Sequence, residues 1–495
     1  MDSSHLSRRI FFWLLTLLFC ITAPAVIFFS FGYRFSFERG IFIYAGSLTL
    51  KPNPSKITIM RDGQQLAAKQ LNRLNNSYHI TGLKPGEHTI EVLADGFQTW
   101  SKKITVHSGL STEFWNVLLA RASYDRTNIG STSGTRFFLH PQKNRVALFE
   151  EDEDVLTLRV LFLETNENRE VLRANGYRFS TDEKENIEWS PDGTALLAPM
   201  EKITVFPAAT HVREYAVVDI EEKSARFLST LTDGADITSV RWDPRQKNTL
   251  FYLNGDILFR GTLTGSDSTT FPAEMITQDV ASYTIADDGI YYLHATKGLL
   301  YRISGNDTMA NPIQLTTTVV DLTDSSYTII AYDAERITLF NRRGTLYIFN
   351  GGDRETYFEK ISDGVRGASF SDDGKKMTYW TDNELYAYFT HDWDTQPMRA
   401  ENERMLLTRF TQTLSDVQWT KDFEHILFTV GRDIKVIELD HRDHRNVMTL
   451  SSLHRDTGNV VSDFDDGKIY FLDTIDERTT LFSITFPEKE GLFGL

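Results

Sequence analysis

Beyond about residue 125 the chain repeats one pattern, an apolar or aromatic strand, an Asp-containing turn and a second apolar strand, at roughly forty- to fifty-residue intervals. The clearest copies are NIEWSPDGTALLAP (186–199), VRWDPRQKNTLFYL (240–253), ASFSDDGKKMTYW (368–380), VQWTKDFEHILFTV (417–430) and VSDFDDGKIYFLD (461–473). Weaker copies fit at 136–150, 281–294 and 321–333, and strand-like pieces such as 300–305, 345–352 and 434–440 follow them. A single unit of this size buries neither face of its sheet, so the units must stack around an axis. The pattern predicts a β-propeller over 128–487, with seven or eight blades and a short tail at 488–495.

Composition agrees with strands. Of the 495 residues 34 are Phe and 19 are Tyr, types that suit a pleated surface. The formal charge of −16 argues against nucleic acid as a partner, because phosphates are repelled without a local basic stripe. The one cysteine, Cys20, leaves no intramolecular disulfide, CxxC pair or cysteine metal site.

The N-terminus sets an expected topology. No charge interrupts Ile10 to Phe31, and these residues as a helix span about 33 Å, enough for a hydrocarbon core of about 30 Å. Arg8 and Arg9 precede the run, and Tyr33 and Arg34 follow it. The paired arginines favour a cytoplasmic N-terminus (1–9), a single transmembrane helix (10–32) and an extracytoplasmic remainder at the cell membrane. Pro24 is tolerated in such a span. A cleaved signal peptide has an A-x-A-like site at Ala23-Pro24-Ala25, but the apolar run continues past it. A lipoprotein signal at Cys20 is disfavoured by the bulk of Phe19. An uncleaved signal-anchor is the expectation.

Residues 40–120 read as short strands at 46–54, 56–63, 88–96 and 101–109, each punctuated by Gly, Pro, Asn or Asp. Ile90, Val92 and Ala94 alternate with Thr89, Glu91 and Leu93, so one face is available for burial, as in a small β-sandwich. Leu50-Lys51-Pro52-Asn53-Pro54, Gly82-Leu83-Lys84-Pro85-Gly86-Glu87-His88 and Ala94-Asp95-Gly96-Phe97-Gln98-Thr99-Trp100 together resemble a PEGA domain. Lys84-Pro85-Gly86-Glu87 occupies the turn where the family's name-giving Pro-Glu-Gly-Ala quartet would stand. The resemblance implies an envelope β-module without enzymatic activity, with Pro85-Gly86 as a tight turn and Phe97 and Trp100 capping the core. In the repeats, Trp189-Ser190-Pro191-Asp192-Gly193 and its variant Phe370-Ser371-Asp372-Asp373-Gly374 resemble the WD40-like repeats of TolB-type propellers. The aromatic residue before each turn is expected to pack between blades.

Propellers host both enzymes and binding platforms, so function must come from a site. Gly130-Ser131-Thr132-Ser133-Gly134 has Thr132 where a nucleophile elbow needs Ser, and lacks the strand-to-helix context; it reads as a flexible lead-in. Ser371-Asp372-Asp373-Gly374 is one residue too short for a sialidase-type turn, and Trp380 stands too far away. Acidic runs at Glu150–Asp154 and Asp463–Asp466 do not match a calcium loop and read as exposed turns. His441 and His444, in the segment 440–445, lack further zinc ligands; with Arg442 and Arg445 they read as a self-neutralising, solvated turn. Trp115 and Trp393 have faces that stack on sugars, although such residues more often fill cores.

No catalytic, cofactor-binding or metal-binding residue is assigned and no cofactor is expected. The expectation is a non-enzymatic binding or scaffolding protein of the cell envelope, its partner an envelope protein. The alternative is a glycan-binding protein or a glycan-cleaving enzyme acting on cell-wall glycan at the propeller's axial face.

Overall fold

In the computed structural model, the described residues are 3–36, 40–67, 72–74, 76–180, 187–204, 210–265, 270–305, 311–323, 326–455 and 459–487. The tail expected at 488–495 lies outside them. Helix α1 (Ser3–Ser30) carries an apolar run, Arg9–Phe28, none of which is buried against the rest of the chain. It is long and apolar enough for a membrane anchor or a signal sequence. A two-stranded ribbon, β1 (Tyr33–Ser36) and β2 (Ile41–Tyr44), follows directly.

The next eight strands are β3 (Gly46–Asn53), β4 (Thr58–Arg61), β5 (Gln64–Gln65), β6 (Asn72–Leu74), β7 (Ser77–Leu83), β8 (Gly86–Leu93), β9 (Trp100–Val106) and β10 (Ser111–Leu118). They form two four-stranded sheets, ordered β10-β3-β7-β6 and β5-β4-β8-β9, with β10 parallel to β3. The sheets face each other across Leu48, Leu50, Ile80, Ile90, Val92 and Trp100. Ile90 and Val92 lie on the buried face as their alternation requires, and Trp100 is in the core. The β4–β5 hairpin turns at Asp62 (φ 51°) and Gly63 (φ 75°), the left-handed pair that matches strand twist in a two-residue turn. Pro85-Gly86 does not close a hairpin, because β7 and β8 belong to different sheets; it carries the chain across the sandwich.

After β11 (Thr127–Thr132), eight further sheets complete the described chain. We call them blades 1 to 8, spanning 136–175, 177–227, 237–277, 280–314, 327–362, 365–409, 414–452 and 460–485. Each is antiparallel and orders its strands consecutively; blade 2 has a fifth strand because Tyr177–Phe179 and Glu188–Trp189 both pair with Ala195–Thr204. Among the described residues the blade number is therefore eight. Three strands of blade 8 come from the C-terminal end, and β11 supplies its fourth by pairing with Arg478–Thr485. The segment 130–134 is thus no flexible lead-in. It ends the strand that closes the ring, and a side chain at Gly134 would stand 2.3 Å from the Phe149 carbonyl oxygen. The unit read at 321–333 is also out of step: Tyr327–Asp333 is the first strand of blade 5, and its turn falls before Arg336. Residues 324–325 lie outside the described part.

The aromatic residues before the turns do join blades. Indole N–H groups of Trp189, Trp242 and Trp419 donate to the carbonyls of Phe138 (3.4 Å), Glu188 (3.2 Å) and Ser369 (3.0 Å), each on a strand of the preceding blade. The Asp of the turn folds it locally. Asp192, Asp373 and Asp422 each accept from the hydroxyl two residues earlier, at 2.7, 2.6 and 2.6 Å.

Candidate functional site

The turns between first and second strands gather on one face and line two recesses. One, of about 580 Å³, takes Lys143 from blade 1, Phe370 and Asp372 from blade 6, Trp419 and Lys421 from blade 7, and Phe464 and Asp465 from blade 8. The other, of about 430 Å³, is lined by Pro141, Glu188, Trp189, Arg241, Trp242 and Ile285, from blades 1 to 4. Their charges are largely committed to each other. Lys421 pairs with Asp465 (2.7 Å) and Arg241 with Glu188, and beside the smaller recess Lys247 pairs with Asp192 (2.8 Å). Burial opposes ionisation of Asp192, but hydrogen bonds from Lys247, Ser190 and Thr194 outweigh it and hold its pKa below the usual range.

At blade 7, Asp422 and His425 form a 2.7 Å pair. Desolvation works against both charges and is overcome in both. The field and hydrogen bond of Asp422 raise His425, while His425, Thr420 and the Glu424 N–H lower Asp422.

The sandwich seats on the same face, on blades 6 and 7, through a buried polar seam. Lys102, fully buried on β9, pairs with Glu438 at 2.5 Å and donates to the carbonyls of Asp440 (2.9 Å) and His444. Glu438 also accepts from the Trp100 indole (2.9 Å) and from the Asn446 backbone (2.7 Å) and side chain (2.8 Å). Arg442 is held by Asp440, donates to the Glu113 carbonyl (2.7 Å) and lies 3.8 Å over the Phe114 ring. Gln396 of blade 6 bonds both ways to β10, accepting from Glu113 N (3.1 Å) and donating to Ser111 O (3.0 Å). Past the polar contacts, Leu118 and Ala120 join the apolar core shared by blades 7 and 8.

A groove of about 310 Å³ follows this seam, lined by Lys51, Asn53, Trp115, Asn116, Lys421 and Pro487 among others. It meets the larger recess at Thr420 and Lys421, which line both. We call the two adjoining recesses together the trough, reaching from the turns of the ring to the sandwich.

Several residues singled out in the sequence take unexpected places. The segment 440–445 is self-neutralising, as its Arg442–Asp440 pair attests, and His441, Asp443 and His444 are exposed; Asp440 and Arg442 nevertheless make it the knob on which the sandwich sits. Ion pairing inside the loop let it enter an interface without stranding its charges. His441 meets Arg399 and His444 meets Asp443, so the two histidines do not converge. Glu150 accepts from Thr132 (2.8 Å) and Arg159 (3.1 Å), which binds blade 1 to the closing strand. Asp463 is buried, not exposed, with Lys143 at 3.9 Å. Trp393 packs over the buried Lys376 ammonium at 3.8 Å, whereas Trp115 remains 36% exposed in the groove. No group of three or more His, Cys, Asp or Glu arranged to hold a metal occurs among the described residues.

Lys102 and Glu438 drew no notice in sequence. Their signal is parity: Lys102 shares the inward register of Trp100, Ile104 and Val106. A lysine in that register needs a buried partner.

No protein-family model matches the chain, and no curated protein sequence matches it. Solved structures similar in shape include the β-propeller domain of Cps50 (Swd1) from Myceliophteria thermophila, at 13% identity and TM-score 0.41, covering 73% of this chain and 100% of that one. The Dos1 propeller is similar at 10% identity and TM-score 0.48, covering 74% and 96%. An oligogalacturonate lyase in complex with manganese stands at 10% identity and TM-score 0.38, covering 74% and 95%. At such scores the propeller assignment rests on the sheet order of this chain and not on these likenesses.

Proposed function

We propose that this is a membrane-anchored, extracytoplasmic binding or scaffolding protein of the cell envelope, acting without catalysis through the trough between ring and sandwich. In this reading α1 is an uncleaved anchor, the sandwich is a PEGA-like module, and the propeller presents the trough to an envelope protein. The carrying observation is that Thr420 and Lys421 line both halves of the trough, with Lys421 paired to Asp465. Such a surface recognises a partner by shape and charge pattern. A photo-crosslinker at Lys421 should capture one stoichiometric partner in native envelopes, while the same group at exposed Asp256, in a turn between second and third strands, captures none. Failure at Lys421 together with glycan cleavage by the purified protein would overturn the reading.

A second reading, glycan binding, draws on one observation. Trp115 is partly exposed, its indole N–H is held by Glu113 (2.9 Å), and Asn53 and Asn116 line the same groove. An aromatic face beside amides suits a sugar ring. Under this reading the ectodomain sediments with isolated cell wall, and Trp115→Ala abolishes it.

A further inference from the structure

The β1–β2 ribbon has one wholly aromatic face. Its register pairs Tyr33 with Tyr44 and Phe35 with Phe42, and in an antiparallel ribbon directly opposed and next-but-one residues share a face. The rings touch in sequence: Tyr33 and Tyr44 at 5.0 Å, Phe35 and Phe42 at 5.2 Å. The end of α1 joins them through Phe28, whose ring lies 5.4 Å from Tyr33 and 5.5 Å from Phe42. One backbone bond, Ala45 N–H to the Gly32 carbonyl (3.0 Å), ties the base of the ribbon to the first turn after the helix.

These contacts do not cover the face. Phe35, Phe42 and Tyr44 are 39%, 46% and 43% exposed, and next to them stand Phe31 at 69% and Leu110, in the β9–β10 turn, at 61%. The neighbouring Gly109 lies directly against the Tyr44 ring, so the patch runs from the helix end onto the sandwich. A two-stranded ribbon this short is not stable in water alone, and the described contacts of this one are with the helix end at Phe28 and the β9–β10 turn at Ser108 and Gly109. Whatever medium surrounds the last turn of α1 also surrounds rings stacked on it.

We propose that the β1–β2 ribbon and Leu110 form an interfacial membrane-docking element, seated at the headgroup boundary of the leaflet nearest the sandwich. Tyr33 and Tyr44 suit that boundary because an apolar ring and a polar tip are both accommodated there, and the exposed Phe31, Phe35, Phe42 and Leu110 supply the apolar surface buried beside them. The ribbon then fixes the tilt of the sandwich, and through the buried seam that of the propeller. This rests on α1 being a membrane anchor.

The test uses the full chain in lipid nanodiscs, in a Cys20→Ser background, with an environment-sensitive fluorophore on single cysteines at Phe42→Cys, Leu110→Cys and Leu18→Cys. The Leu18 label, inside the helix run, should be quenched most by a spin label deep in the acyl chains. Labels at positions 42 and 110 should each be quenched about twofold more by a headgroup-proximal spin label than by the deep one. Deep quenching at 18 with water-like emission at 42 and 110 overturns the interfacial element and leaves the anchor standing. Water-like emission at all three positions overturns both. Because Leu110 lies outside the ribbon, a ribbon disturbed by labelling at 42 does not compromise the second site.

Discussion

The joints between blades and the joint between sandwich and propeller solve one problem with different shares of apolar and charged contact. Blades meet mainly through apolar clusters, with an indole N–H donating to the neighbouring blade at three of the joints and an ion pair between the buried Lys376 and Glu424 at the joint of blades 6 and 7. The sandwich meets blade 7 through a buried lysine and glutamate whose polar atoms are all bonded across or beside the seam. Apolar burial is strong but non-directional, and repetition around a ring supplies the missing direction. A sandwich attached at one place has no such repetition, so hydrogen-bonded charges must set its angle. A charged seam of this kind gains little net stability, because desolvating the ions offsets their attraction, but it penalises wrong geometry.

The largest expected effect breaks the seam. Lys102→Met leaves Glu438 buried without its cation, which costs about 3–5 kcal/mol. Hydrogen exchange should show this as weakened protection of the β9 amides, while amides of Ile426–Thr429 inside blade 7 keep theirs. Equal loss in both places would mean that the seam and the ring form one cooperative unit. Adding Glu438→Gln removes the stranded charge but keeps an oxygen for Trp100; it should recover at least about 1 kcal/mol, the mark of a coupled pair.

The indole bonds between blades are smaller. Trp419→Phe keeps most of the ring in its apolar cluster and deletes only the N–H to Ser369 O, so about 1 kcal/mol is at stake. A denaturation midpoint that does not move would show that the ring's packing alone makes the joint. A fall of several kcal/mol would show that Ser369's carbonyl has no other partner when the indole is gone.

The same contrast decides what could be read from the residues alone. Apolar joints leave a periodic trace, so the strands around Trp189, Trp242, Phe370 and Trp419 and their Asp turns were legible one unit at a time. Blade 8 was harder, because β11 stands about 350 residues from its partner and its Gly-Ser-Thr composition imitates a linker. In blade 5, Asp321 and Asp324 offered a turn before the first strand, whereas the turn that forms follows Asp333. The seam leaves no periodic trace at all: each of its charged residues looks like an ordinary surface residue until Lys102 is placed in register with Trp100 and Ile104. The aromatic face of β1–β2 was hidden for another reason, since its alternation runs over only four residues per strand and abuts an already apolar helix.

The smallest expected effect lies beside the seam, at His425 and Asp422, and its sign follows from the two shifts. His425 is raised above 6.5 in the folded chain, so its share of stability is complete below pH 6.5 and disappears as pH rises through the folded value. Asp422 is held below 3.8, so its share is complete above pH 3.8 and disappears as pH falls through its own folded value. The pair therefore contributes most between these limits, with an alkaline decline that belongs to the imidazolium. Water reaches the Asp422 side chain, which is 30% exposed, and screens part of the interaction. His425→Gln should flatten the alkaline decline in the unfolding midpoint, whereas Lys102→Met should keep that decline. If the decline persists without His425, the alkaline titration belongs to another group; if it also vanishes in Lys102→Met, the imidazolium is held by the seam and by Glu438 across the strand, and not by Asp422.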